Sequence, residues 1–205
     1  MDQRKAHWEN VYHSKKPDEV SWFQPTASKS LDLIASTKLS KDGNIIDVGG
    51  GASTLVDGLL ELGFKNITVL DLSGAALKYA QERLGGNASA IKWIEEDITQ
   101  FMPEEVFDLW HDRAVFHFLT NEEDRRKYVA NVKRGLKQGG FLIVASFALD
   151  GPEKCSGLPV CRYDARAIQL EFGSEFELLQ ETKEVHKTPW ESEQRFNYFL
   201  LKRLS

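Results

Sequence analysis

Three observations predict an α/β fold: a doubly wound, mostly parallel, seven-stranded sheet with helices on both faces and an antiparallel hairpin at the C-terminal end. Strand-like runs rich in β-branched residues alternate with runs of helical period between residues 44 and 147. Connections long enough to hold a helix imply parallel pairing through right-handed crossovers. The last two extended runs are instead joined by a short polar stretch with no room for a crossover helix, so they must pair antiparallel.

The first strand is "NIIDV", residues 44–48, β-branched and almost fully apolar. "STLVDGLLEL" then places Leu55, Val56, Leu59, Leu60 and Leu62 at helical spacing. "KNITVLDLS" is a second buried strand, and its Ser73 is positioned to cap the helix "GAALKYAQERL" by accepting from first-turn N–H groups. "AIKWIEED" is the third strand and "FDLWHD" the fourth. Thr120 and Glu123 have the spacing of a capping box ahead of "DRRKYVANVKRGL", whose Tyr128, Val129, Val132 and Leu136 share one face. Gly139-Gly140 is expected to end that helix before the fifth strand, "FLIVASF". A loop, "CSGLPVCRY", and a short helix starting near Asp164 and stopping at Gly173 precede the hairpin formed by "FELLQETKEVHKT" and "QRFNYFLLKRL". There is no internal repeat, and the length suits a single domain, 1–205.

Composition narrows the function. The net charge of −5 leaves no broad positive field for a phosphate backbone, which argues against nucleic acid as a partner. Apolar residues at 41% and charged residues at 28% permit a packed core and argue against a disordered chain. "MDQRKAHWENVYHSKKPDEV" lacks the apolar centre of a signal peptide, and no later stretch approaches the roughly 18 apolar residues of a membrane span. A cytoplasmic protein that binds no membrane is therefore expected. Cys155 and Cys161 match no zinc or redox spacing, so free thiols and no metal site are expected.

The stretch "NIIDVGGGASTLV" carries the chemistry. Glycines at the C-terminal end of a strand let a ligand lie against backbone N–H groups where a Cβ would collide with it. A tight turn without a ligand is the plainer alternative. Counted from Gly49 and Gly51, the third glycine of the dinucleotide fingerprint falls at position 54, which is Thr54, and no Gly-Lys-Ser/Thr follows to make a phosphate loop. The order is Asp47-x-Gly49-x-Gly51-x-Ser53, and a carboxylate entering the turn suits a zwitterionic or cationic ligand better than a pyrophosphate. Asp71 closes the second strand twenty residues after Gly51, where it can accept from both hydroxyls of a ribose. Asp97 can accept from an exocyclic adenine amine while the N–H of Ile98 donates to a ring nitrogen. Three acids at successive strand ends, on the edge where such sheets bind ligands, point to a nucleoside site.

"IIDVGGGAS", "VLDLS", "EEDIT", "FDLWHDRAVFHFL" and "RGLKQGGFLIV", in that order and spacing, resemble the class I, seven-strand, Rossmann-like methyltransferases that use S-adenosylmethionine. The resemblance covers nearly the whole chain. It implies S-adenosylmethionine as the cofactor, with Asp47, Gly49, Gly50 and Gly51 lining its methionine and sugar, Asp71 and Leu72 holding the ribose, and Asp97 and Ile98 reading the adenine. "HWENVYHSKKPDEVSWFQP" is similar to the N-terminal segment of the methyltransferase-like branch that includes the elongation-factor lysine methyltransferases. That likeness implies that residues 1–25 cover the cofactor and that Trp8, Tyr12 and Trp22 reach it. Ring faces near a desolvated sulfonium have a physical logic; a hydrophobic lid packed on the core is the alternative. Lysine methyltransferases of that branch carry an acid-lysine-glycine-threonine stretch after the fourth strand, where this chain has Asp112-Arg113-Ala114-Val115. "AVFHFL" instead resembles a segment common in small-molecule methyltransferases.

Methyl transfer from a sulfonium is an in-line displacement, so alignment and exclusion of water are the enzyme's main tasks. A hydroxyl acceptor needs a base; a thiol, carboxylate or amine needs only to arrive deprotonated. His111, Asp112 and His117 are the candidate catalytic residues, with His117 equally readable as a packing residue. Arg113 can hold a carboxylate bidentately, that of the acceptor or that of the cofactor. The loop after strand five can fold over the acceptor with Cys155, Arg162 and Tyr163, or simply connect. The expected function is methylation of a small molecule, an organic acid or a thiol. The alternatives are a protein side chain as acceptor, a domain that binds the cofactor without catalysis, and a nicotinamide oxidoreductase disfavoured by Thr54 and the terminal hairpin.

Overall fold

Five of the apolar runs become parallel strands in the computed structural model, which describes residues 3–204. Residues 1, 2 and 205, at the ends of the expected domain, lie outside the described residues. The strands are β1 (Asn44–Val48), β2 (Asn66–Asp71), β3 (Ile91–Glu95), β4 (Phe107–Arg113) and β5 (Leu136–Phe147). A small hairpin of β6 (Lys154–Cys155) and β7 (Leu158–Pro159) sits apart in the loop that follows. The long antiparallel pair β8 (Phe176–Lys187) and β9 (Glu193–Arg203) completes a seven-stranded sheet in the order β3-β2-β1-β4-β5-β9-β8. β9 pairs antiparallel with β5, and every pairing among β1 to β5 is parallel.

Six helices cover the faces: α1 (Gln3–Ser14), α2 (Ser28–Ser36), α3 (Leu55–Glu61), α4 (Gly74–Leu84), α5 (Glu122–Gly135) and α6 (Ala165–Phe172). One apolar cluster packs α5 and α6 against the sheet through Tyr128, Val132, Ile168 and Phe172; the other packs α2 and α3 through Ile34, Leu55, Val56 and Leu59. Both faces of the central strands are therefore buried, as continuous apolar runs require. No helix among the described residues is long and apolar enough to cross a membrane.

Local chemistry sets the element ends. Ser73 caps α4 by accepting from Ala76 N at 3.2 Å, and Asp164 caps α6 by accepting from Ala167 N at 2.8 Å. The cap of α5 is Asn121, which accepts from Glu123 N at 2.8 Å, and not the Thr120 expected from the capping-box spacing. α5 also stops earlier than Gly139-Gly140. At Gly135 a Cβ would lie 2.8 Å from Pro103 and 3.0 Å from Trp110, so the chain passes too close for a side chain and leaves the helix there. Gly139, at φ +75°, then falls inside β5, within the break in its register against β4.

The turn after β4 is fixed from inside the core. Asp112 is fully buried and accepts from Val115 N at 2.9 Å, from Phe116 N at 3.1 Å and from the Tyr128 hydroxyl at 2.7 Å. Trp110 Nε1–H donates to the same Tyr128 oxygen at 3.2 Å. This corrects the expectation of Asp112 as a proton acceptor: its oxygens are occupied by the turn that it shapes. Burial pushes the Asp112 carboxyl up to about 6, against the hydrogen bonds from Tyr128, Val115 and Phe116 that pull it down.

Two predictions follow from this turn. Tyr128→Phe removes the hydroxyl joining Trp110 to Asp112 and should cost about 1–3 kcal/mol in urea unfolding, seen as a lower midpoint at unchanged slope. A carboxyl that holds its proton more tightly folded than unfolded contributes stability present below the unfolded pKa and lost as pH rises through the folded one. The window runs from 3.8 to about 6. Asp112→Asn, which cannot ionise, should therefore gain on the wild type as unfolding is measured from about pH 4 up to about pH 7; a pH-independent difference between the two contradicts the burial cost.

Candidate functional site

The C-terminal edge of the parallel strands opens into a cavity lined from the ends of β1, β2 and β4, and Gly49 of the glycine bend is part of its wall. Gly49 has φ +73°, and a Cβ on it would lie 2.1 Å from Val115 Cγ2. Gly49 N donates to Leu70 O at 2.7 Å, which draws the bend against β2. A Cβ on Gly50 would lie 2.1 Å from Asp47 Oδ2, and one on Gly51 would lie 2.7 Å from Asp71 Oδ2. Gly50 and Gly51 are thus needed so that two carboxylates can sit directly against the backbone, and Gly49 so that Val115 can.

Of the residues expected to hold the cofactor, Trp8, Tyr12, Trp22, Gly49, Asp71, Leu72, Asp97, Ile98 and Arg113 line one cavity together. Asp47 and His111 line an adjoining one, shared with Tyr12, Trp22, Gly49 and Arg113. Gly50 and Gly51 lie behind the wall, against Asp47 and Asp71. Arg4, Val115, Phe118 and Cys155 also line the first cavity; of these only Cys155 is a residue type whose chemistry marks it in the sequence.

Each acid is held by short bonds. Asp71 Oδ2 accepts from Gly51 N at 3.0 Å and Oδ1 from Ser73 N at 2.9 Å. Burial pushes its carboxyl up to about 6; those two N–H groups oppose the shift, and the charges of Asp47 and Glu9 add to it. Asp97 Oδ1 accepts from Thr99 N and from the Thr99 hydroxyl, both at 2.8 Å, while its Oδ2 faces Arg4 at 3.3 Å. Asp47 Oδ1 lies 2.7 Å from His111 Nδ1, and His111 Nε2 lies 2.8 Å from Ser30 Oγ.

A roof closes the cavity from the N-terminal side. α1 is tied down by Arg4 to Asp97 and Asp124, by Lys5 to Glu95, and by Glu9 Oε1, which accepts from Gly74 N at 2.6 Å. His7 Nε2 lies 3.3 Å from Ser156 Oγ, so α1 also meets the β6–β7 loop. Trp8 packs on Phe118 and Trp22 with ring centroids 5.0 and 5.6 Å apart, and Tyr12 stands 6.4 Å from Trp22.

Several expected roles change. Arg113 lines both cavities and is partly engaged: Nε donates to the Tyr198 hydroxyl at 2.8 Å and Nη1 to Trp22 O at 3.1 Å, the group stacks on Phe196 at 4.5 Å, and Nη2, 3.9 Å from Glu184, is buried with no hydrogen-bond partner among the described residues, so one donor is left for a ligand carboxylate. It pins the N-terminal segment to the terminal hairpin. His117 is fully buried and is not a wall residue; its ring packs on Phe118 and Phe147, with neither nitrogen hydrogen-bonded among the described residues. Burial, then the charge of Arg113, lowers its pKa to about 3, so it stays a neutral packing group. Arg162 instead donates to Gly151 O, and Tyr163 is buried against Phe116. Cys155 and Cys161 are free thiols, and burial pushes Cys155 up to about 11. Among the described residues no group of three or more His, Cys, Asp or Glu is arranged to hold a metal.

The donor set fits an adenosine carrying a sulfur cation. Asp71 and Asp97 line the cavity as hydrogen-bond acceptors together with Trp8, Tyr12 and Trp22, and Asp47 Oδ2, beside it, is buried with no hydrogen-bond partner among the described residues. Comparison with known proteins agrees. The family described as "Methyltransferase domain" matches residues 46–144. Human EEF1A lysine methyltransferase 2 is 23% identical over 86% of this chain and 75% of its own length. Nodulation protein S of Rhizobium tropici is 30% identical over 56% of this chain, and the match spans only 47% of that protein. The crystal structure of the N-methyltransferase NodS from Bradyrhizobium japonicum with S-adenosyl-L-homocysteine superposes with a TM-score of 0.74 at 17% identity, covering 96% of this chain and 98% of that one. The chain is an S-adenosylmethionine-dependent methyltransferase, and it resembles the class I enzymes and, among them, the branch of the elongation-factor lysine methyltransferases.

Proposed function

We propose that the protein transfers the methyl group of S-adenosylmethionine to a small molecule that enters the roofed cavity. In this reading Asp97 and Ile98 meet the adenine, Asp71 and Leu72 the ribose, and Asp47 with the Gly49 bend the methionine end. Trp8, Tyr12 and Trp22 surround the sulfonium, which supplies the methyl group. The wall formed by Ala114, Val115, Phe118 and Cys155 receives the acceptor.

The roof carries the proposal. With α1 held to β3, α4 and the β6–β7 loop, the acceptor wall lies beneath the aromatic side chains of the N-terminal segment, in a partly covered cavity. The roof limits the access of water, and the residues around the cavity contribute alignment. None of His111, Asp112 and His117 offers a free proton acceptor to that wall, so an acceptor that arrives already deprotonated fits best: an amine, a carboxylate or a thiolate. A lysine on a protein is the second reading, favoured by the 86% of this chain matched by EEF1A lysine methyltransferase 2. Against it, Asp112-Arg113-Ala114-Val115 follows the strand where those enzymes carry acid-lysine-glycine-threonine.

Two measurements test these assignments. Asp71→Asn should weaken S-adenosylhomocysteine binding about tenfold in calorimetry, the cost of a hydrogen bond to a charged group; unchanged affinity in the folded variant places the ribose elsewhere. Incubating the protein with methyl-labelled cofactor and a cell extract split by size should label the small-molecule fraction, whereas label confined to macromolecules favours the protein acceptor.

A further inference from the structure

Asp47 and His111 are register partners on the adjacent parallel strands β1 and β4, so their side chains leave the sheet on the same face and meet. Ser30, on α2, closes the far side of the imidazole. All three are at most 2% exposed, and the bonds between them are 2.7 and 2.8 Å long. A carboxylate only accepts, so His111 Nδ1 carries the proton it shares with Asp47 Oδ1, and Nε2 is left to Ser30. The other carboxylate oxygen, Oδ2, is unpartnered among the described residues and lies so close to Gly50 that a Cβ there would stand 2.1 Å from it. Turning the carboxylate to satisfy Oδ2 breaks the bond to His111.

We propose that His111 and Ser30 are positioning residues: they clamp Asp47 so that its free Oδ2 accepts from the ammonium group of the cofactor's methionine end. The inference rests on the reading above that this end lies at the glycine bend. His111 belongs to the cavity on the Asp47 side of the bend and not to the wall of Ala114, Val115 and Phe118, so it acts through Asp47 and not on the acceptor. Satisfying Oδ2 only when the cofactor is bound gives selectivity, because a ligand without the ammonium leaves a buried carboxylate oxygen unpaired.

The test compares S-adenosylhomocysteine with its analogue lacking the α-amino group, by calorimetry on the full chain. The wild type should bind the amino form at least about tenfold more tightly. His111→Leu should weaken the amino form about tenfold and leave the deaminated form within about twofold, so that discrimination collapses. His111→Asn, which keeps a donor toward Asp47, should restore it. Equal weakening of both ligands, or a folded His111→Asn without discrimination, overturns the clamp. A wild type that binds both ligands equally overturns it while leaving the cofactor assignment intact; a wild type that binds neither overturns that assignment itself. Should His111→Leu not fold, nuclear magnetic resonance of the wild type decides: the His111 Nδ1–H signal should move on adding the amino ligand and not the deaminated one, and a signal unmoved by both contradicts the proposal.

Discussion

Four aspartates at one edge of a parallel sheet lose most of their water, and the way each is compensated determines what it does. An uncompensated buried carboxylate is too costly to keep, so every one of the four is bonded within the fold. Asp112 spends its oxygens on backbone N–H groups and a tyrosine hydroxyl, and becomes the keystone of the β4 turn. Asp71 accepts from one N–H on each oxygen, which orients it and leaves lone pairs for a ligand. Asp97 pairs with Thr99 and with Arg4 of the roof. Asp47 is held by an imidazole on one oxygen alone. The same residue type at equivalent strand ends thus does four different things, separated by the donors that each following turn supplies.

The close approach of side chains to the backbone explains the run of three glycines better than ligand contact does. Gly50 and Gly51 are needed because Asp47 and Asp71 press on them, and Gly49 because Val115 does. The bend is therefore preorganised by protein contacts, and a bound nucleoside would meet acceptors already fixed in place. Arg113 extends this to the roof: bonded to Tyr198, to Trp22 O and near Glu184, it joins the N-terminal segment to a hairpin more than 150 residues later in the chain. The terminal hairpin contributes to enclosure as well as to sheet order.

Features built from local bonds were legible in the sequence. The caps at Ser73 and Asp164 rest on contacts three residues away, and the alternating strands and helices and the terminal hairpin follow from local periodicity and the length of each connection. The three strand-end acids were legible because the topology brings the ends of adjacent strands to one edge, and the aromatic trio only through the resemblance of the N-terminal segment. What escaped was long-range. Nothing near Gly135 in sequence reveals that Pro103 and Trp110 crowd it, so the end of α5 was read four residues late. Asp112 looked catalytic because a strand buried on both faces shows no alternation to say which way a side chain turns. The partners of Arg113, Tyr198 and Trp22, lie 85 and 91 residues away. Ser30 carries no motif at all; its role depends on an imidazole 81 positions on.

The central claim is that these buried strand-end carboxylates form the receptor for the adenosyl cofactor. A crystal structure of the protein grown with S-adenosylhomocysteine tests it most directly. The account predicts the ribose hydroxyls on Asp71, the adenine amine beside Asp97 and the ammonium within hydrogen-bond reach of Asp47 Oδ2, beneath Trp8, Tyr12 and Trp22. A nucleoside bound elsewhere, with Asp71 contacting only Gly51 and Ser73, contradicts it.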